Sequence, residues 1–405
     1  MEEMARARPA ADLDDPREAA EDEVFWAWVR DCYTIDTSIV NFNNGGVSPA
    51  TADAQAAQKR FIDQTHRAPA YHLWRLLEPQ RETVRTRLAR HHGVDAEEIA
   101  LTRNASESLM ALLFGHALER GDQVLCTEHD YPRMLDTLRQ RERREGIELV
   151  TFTPPVPLTD PDALVRMYAE RITPRTKLIL VSHMVYLTGQ VFPVAEITRL
   201  GRERGIPVVV DGAHAIFHLD FTLAELDVDF YGASLHKWLC GPLGTGLLYA
   251  RKERIADVWP LLAANETLDT DIRKFEQIGT HPEDATLGLT ESLDLHQAIG
   301  SARKIARLER LRDRWADRLL QHDRVSLHTH RGPGTAGSIA NMAIEGIAPG
   351  DLQRHLWSKH RIYTVAIGNP GVVGLRVSPH VYSTLDEVDR FSEAVEAVLR
   401  DGLPG

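Results

Sequence analysis

The sequence predicts an α/β fold: a mostly parallel sheet flanked by helices, with a smaller α/β unit towards the C-terminus. Three observations carry this. Val208-Val209-Val210 is a continuous β-branched run between Pro207 and Gly212, the pattern of a strand buried on both faces. Short apolar runs alternate with helical patterns, the order that joins parallel strands by helical crossovers. Several runs end on polar residues, at the edge where open α/β sheets bind ligands.

A chain of 405 residues suggests two or three domain-sized units. A net charge of −12 argues against a nucleic-acid surface and gives no membrane attraction. Cys32, Cys126 and Cys240 are too few and too scattered for a disulfide framework or a zinc site, which suits a reducing cytoplasm. No apolar span of membrane length and no signal-peptide core is evident.

Residues 1–23 are rich in Ala, Glu, Asp and Arg and read as a solvated, flexible tail. A segment over 24–60 follows. It holds an amphipathic helix from Phe25 to Tyr33, then a short strand and Gly-rich loop from Val40 to Pro49. The main domain is expected over 61–288 and the smaller one over 289–405. Helical patterns fill Thr51 to about His92, and Ile99–Thr102 reads as a strand. Asn104 with Glu107 three positions on marks a helix start, whose free N–H groups suit a phosphate. Gln123–Thr127 is the next strand, with Glu128-His129-Asp130-Tyr131 at its end. Leu178–Ser182 is another, ending at His183. Asp211 closes the Val208 run, and a strand at Asp229–Ala233 runs into Ser234-Leu235-His236-Lys237. Gly241, Gly244 and Gly246 lead into Leu247-Leu248-Tyr249. Arg-rich amphipathic helices are expected from about Glu291 to Leu320. Gly374-Leu375-Arg376-Val377 is a short strand whose arginine can grip a carboxylate through two parallel hydrogen bonds.

A carboxylate and a lysine at one sheet edge suggest a specific chemistry. A lysine in a dry pocket can bond an aldehyde cofactor, and a carboxylate can hold a pyridinium nitrogen protonated. Those are the two protein groups that pyridoxal phosphate (PLP) requires. Singly, Asp211 reads as a strand end and Lys237 as a surface lysine; the pair carries the assignment. No dinucleotide loop, P-loop or metal-ligand cluster competes, because the glycines at 241–246 precede a strand rather than a helix.

The Asp211-Gly212-Ala213-His214 and Ser234-Leu235-His236-Lys237-Trp238 stretches resemble fold-type I PLP enzymes of the class V aminotransferase group, most closely the isopenicillin N epimerase-like branch. The resemblance runs from about Asn41 to the C-terminus. It implies a seven-stranded large-domain sheet and a homodimer with shared sites. It also implies roles. Ala105, Ser106, Ser234 and His236 would hold the phosphate, joined by Gly279 and Thr280 of the neighbouring subunit. His129 would stack on the cofactor ring, with Tyr131 close by. His183 and His214 would approach its phenolic oxygen. Asn44 would contact the substrate and Arg376 would anchor its carboxylate.

Such a site removes the Cα proton of an amino acid, with Lys237 as base and Asp211 sustaining the electron sink. β-Elimination from a cysteine S-conjugate in specialised metabolism asks least of the residues. Epimerisation needs a second acid, for which His129 or Tyr131 is available. Transamination and oxidative deamination stay open. Cysteine desulfuration lacks its nucleophile: no cysteine follows Cys240, and the region before Arg376 reads Arg361 to Asn369 without one.

Overall fold

The computed structural model describes residues 15–369 and 371–403. The first strand, β1 (Val40–Asn41), stands apart from the main sheet. Seven strands build that sheet: β2 (Ile99–Thr102), β3 (Gln123–Thr127), β4 (Glu148–Phe152), β5 (Thr176–Ser182), β6 (Val208–Asp211), β7 (Phe230–Ser234) and β8 (Gly246–Ala250). Their order is β2-β8-β7-β6-β5-β3-β4, and β8 alone runs antiparallel to its neighbours. The expected mostly parallel sheet is therefore present. The edge strand β4 carries no clear signal in the sequence: Glu148-Leu149-Val150-Thr151-Phe152 neither alternates nor forms an unbroken apolar run, and only Phe152 is fully buried.

The β-branched run of β6 follows from where it lies. Val208 and Val210 enter one core cluster and Val209 the other, so each sheet face receives apolar side chains from one strand. All three are 0% exposed, and each contributes about 1.5–3 kcal/mol by burial. At Gly212, just past the strand, an added Cβ would stand 1.8 Å from the Tyr231 ring. The chain can turn close to its neighbour there only because no side chain intervenes.

The smaller unit has a four-stranded antiparallel sheet made of β9 (Val325–Leu327), β10 (Ala340–Ile344), β12 (Val365–Asn369) and β13 (Val372–Val377), in the order β12-β13-β10-β9. The remaining strand, β11 (Ile362–Tyr363), pairs in parallel with β1. Val40 and Phe42 thereby join a core with Trp315, Leu375 and Phe391. Ser378 N–H donates to the Phe42 carbonyl at 2.8 Å, which lays the loop after β1 beside β13.

One sequence expectation differs locally, and two gain detail. Residues 1–14 lie outside the described residues, but Pro16–Ala19 is a helix with Asp15 as its cap and Ala19 buried, not a solvated tail. The helical stretch before β2 is interrupted: Ala52–Arg67 ends before Pro69, a π-helical turn covers His72–Leu77, and Arg81–His92 resumes after Pro79. The helices expected from Glu291 to Leu320 are present as Leu289–Ile299 and Ser301–Leu319, divided at Gly300, whose φ of +85° few other residues accept.

Candidate active site at the strand ends

The C-terminal ends of β3, β5, β6 and β7 converge on a cavity of about 220 Å³. Ser182, Asp211, Ser234, Lys237 and, from the helix opposite, Ala105 and Ser106 all line it. A larger apolar groove of about 780 Å³ lies beyond the loop at Asn43–Ser48, but among the described residues no lysine, arginine or histidine lines it.

Lys237 follows β7 in a turn held from several directions. The Cys240 N–H donates to the Lys237 carbonyl at 3.2 Å, and buried Lys304 donates to the Trp238 carbonyl. Cys240 itself takes the left-handed conformation, φ +60°. The turn points Lys237 Nζ to within 3.4 Å of His214 Nε2. Burial pulls the ammonium down to about 8, with Asp211 opposing that shift and Arg376 adding to it. Burial, then the nearby Lys237 and Arg376, hold His214 well below the usual histidine range, so its ring is neutral at pH 7. A hydrogen bond from Lys237 then requires the lone pair on Nε2 and the hydrogen on Nδ1, an atom that is buried without a partner.

Asp211 ends β6 with 6% of its surface exposed. Its Oδ1 accepts from the Ala213 N–H at 3.0 Å. Burial pushes its carboxyl up, against the Ala213 hydrogen bond and the charge of Lys237. Across the cavity, Asn104 caps the helix Ala105–Gly115 by accepting from the Glu107 N–H at 2.9 Å. The Ala105 N–H donates to Ser234 Oγ at 2.9 Å, tying the helix start to the end of β7. His236 lies next to Lys237, with Nδ1 3.1 Å from the Thr245 carbonyl.

Arg376 on β13 is 6% exposed. Nη1 donates to the Tyr186 carbonyl at 2.9 Å and Nη2 to Asn43 Oδ1 at 2.8 Å, while Nε is buried without a partner. Its contacts are neutral, and burial lowers its pKa to about 10, against the nearby Tyr186 and Tyr131 hydroxyls.

Several expected residues lie elsewhere. His183 does not line the cavity; its Nδ1 meets the Tyr231 hydroxyl at 3.1 Å and its ring packs on Phe221. Side chains alternate along a strand, so with Ser182 facing the cavity His183 turns away. Tyr186, three residues later, lines it instead. Asn44 is fully buried, and its amide is spent on the Asn41 and Ser378 carbonyls and the Tyr382 hydroxyl, so Asn43 is the residue that reaches Arg376. His129 is buried at the end of β3 with Nε2 unpartnered, while Tyr131 provides the cavity wall there. Gly279 and Thr280 are exposed and outside this chain's cavity.

Comparison with known proteins agrees with this architecture. The family model for class-V aminotransferases matches residues 47–391. An isopenicillin N epimerase of Streptomyces clavuligerus is 30% identical over 390 residues, covering 92% of this chain and 98% of the relative. An apo cysteine desulfurase of Thermococcus onnurineus NA1 superimposes with a TM-score of 0.80 at 24% identity, over 92% of this chain and 97% of that one. C-DES with glycine covalently linked to its PLP cofactor does so with a TM-score of 0.77 at 22% identity, over 89% and 98%. Both superpositions are similarities of fold.

Proposed function

The chain belongs to the class-V aminotransferase family and is a PLP-dependent enzyme, and from that premise we propose that it removes the Cα proton of an α-amino acid with Lys237 as the base. The observation that carries this is the meeting of Lys237 and Asp211 in one cavity, beside a buried arginine with only neutral partners.

The residues fit the cofactor. Polar atoms at His129 Nε2, His214 Nδ1 and Arg376 Nε are buried without partners. Lys237 would bond the aldehyde carbon, and Asp211 would hold a proton at the ring nitrogen. Ala105 and Ser106 at the helix start, with Ser234 and His236, would receive the phosphate. Gly279 and Thr280 of a second copy would complete that contact in a homodimer. When bound there, PLP supplies an electron-poor ring that lowers the acidity barrier at Cα.

The chain's own residues do the rest. Arg376 pairs with the substrate carboxylate and fixes the Cα–H direction, with Asn43 and the Tyr186 carbonyl aiming its guanidinium. Lys237, neutral in a substantial fraction near pH 8, accepts the proton at Nζ.

We assign β-elimination from a cysteine S-conjugate as the outcome, because it needs no proton donor besides Lys237. Epimerisation is the second reading. The near full-length likeness to isopenicillin N epimerase favours it, as does the Tyr131 hydroxyl in the cavity wall. The enzyme with bound PLP, incubated with cysteine S-conjugates in deuterated water, separates the two. Pyruvate and a free thiol mark elimination. Recovered amino acid of inverted configuration, carrying deuterium at Cα, marks epimerisation. No exchange at Cα with any α-amino acid would overturn both.

A further inference from the structure

Asp130 is a buried carboxylate beside the cavity that the reaction above does not use. It is 1% exposed, and the one charge acting on it among the described residues is that of Asp211, another carboxylate. Its oxygens are taken by hydrogen-bond donors. Oδ2 accepts from the Thr127 N–H at 2.8 Å and from Thr127 Oγ1 at 2.9 Å, and Oδ1 accepts from Ser182 Oγ at 2.7 Å. Ser182 lines the cavity and is the register partner of Asp211 on the adjoining strand. A hydroxyl on the cavity wall thus has its hydrogen directed by a carboxylate behind it.

We propose that Asp130 is a positioning residue whose proton decides whether Ser182 offers the cavity a lone pair or a hydrogen. With Asp130 ionised, the Ser182 hydrogen points back to Oδ1 and oxygen lone pairs face the cavity beside Asp211. With Asp130 protonated, Oδ2 already receives two donors, so the proton resides on Oδ1 and is donated to Ser182 Oγ. The Ser182 hydrogen is then free to turn into the cavity. The first state suits a donor such as a ring N–H, the second an anion or a carbonyl.

The two states exchange in an accessible range. Burial raises Asp130 to about 6, against the Ser182 and Thr127 hydrogen bonds, and the charge of Asp211 raises it further. The other titratable groups facing it are Cys126 on β3, Tyr168 from the helix Pro161–Arg171, and Tyr186 after β5. Burial holds all three above their ordinary values, so they remain uncharged near neutral pH.

The inference rests on the PLP reading only for what senses Ser182, so its test has two arms. In the first, the apoprotein is titrated by carboxyl carbon NMR. The resonance missing from Asp130→Asn should titrate near pH 6, and titration below pH 5 would overturn the proposal. In the second, PLP affinity is measured from pH 5 to 8 by spectroscopic titration. The wild type should show a step near pH 6 of about fivefold, the worth of one hydrogen bond. Ser182→Ala, which retains Asp130, should lose that step, and an unchanged step would overturn the proposal. Should Asp130→Asn fail to fold, Ser182→Ala carries the second arm and selective aspartate labelling the first. A protein that binds no PLP at any pH would remove the cofactor reading, and the NMR arm would still decide the state of Asp130.

Discussion

Lys237 Nζ and His214 Nε2 stand 3.4 Å apart, a lysine facing a histidine that burial keeps neutral. Nothing in that contact supports the ammonium as a partner charge would. Among the charges near Lys237, Asp211 favours protonation and Arg376 opposes it, and burial outweighs both. Lys237 should therefore react with amine-directed acylating reagents as a group of pKa about 8. Site-resolved labelling of the apoprotein against pH, read by mass spectrometry, checks this. The linkage has a definite sign. The folded-state pKa is below the unfolded one, so the stability associated with neutral Lys237 is present above pH 10.5 and declines as pH falls through about 8.

Asp211→Asn should act on the same titration. Asp211 raises the Lys237 pKa, so its neutralisation should lower the labelling midpoint further below 8. It should also reduce kcat/KM by about 10²–10³, the usual cost of one preorganised electrostatic partner. Steady-state kinetics and the labelling profile, measured on the same protein, check the two effects together.

Arg376→Lys should separate substrate from cofactor. A lysine cannot reproduce two parallel hydrogen bonds to a carboxylate. KM for the amino acid should rise about 10–100-fold, from the loss of charge-assisted bonds worth about 1.5–3 kcal/mol. PLP affinity should stay within about twofold by the same reasoning. Asn43→Ala releases only Nη2 and should cost about 1 kcal/mol in substrate affinity. Parallel losses of substrate and cofactor affinity in Arg376→Lys would remove it as the carboxylate anchor.

Glu276 predicts a stability effect away from the chemistry. It accepts from buried Arg85 and from the Leu101 N–H, and pairs with Arg81 at 3.2 Å. This ties the segment leading to Gly279 and Thr280 onto β2. Glu276→Gln leaves Arg85 with Glu82 and Arg81 with Glu283 as their remaining carboxylates, and should destabilise the fold by about 1.5–3 kcal/mol through the weakened charge-assisted bonds. Urea denaturation of the apoprotein, read by the shift in midpoint at constant slope, measures it.

The central strands and the Asp211–Lys237 pair were legible in the sequence because both-face burial demands an unbroken apolar run and its end is the ligand edge. The helix start at Ala105 was legible through its Asn104 cap. Other features were not. His183 attracted attention as a histidine, but strand alternation gives the cavity to Ser182, and only the register with Asp211 makes that visible. Asn43 and Asn44 are equivalent in a Gly-rich loop until Ser378 and Tyr382 claim the second of them. Asp130 and Tyr186 owe their positions to contacts between distant strand ends, which no local pattern encodes.

The most direct measurement is a visible absorption spectrum of the PLP-treated protein before and after borohydride, followed by peptide mass mapping. A visible band that reduction removes, with the cofactor mass fixed on Lys237 and absent from Lys237→Ala, is the predicted result. A protein that stays colourless with PLP, or an adduct on another lysine in place of Lys237, would contradict the account.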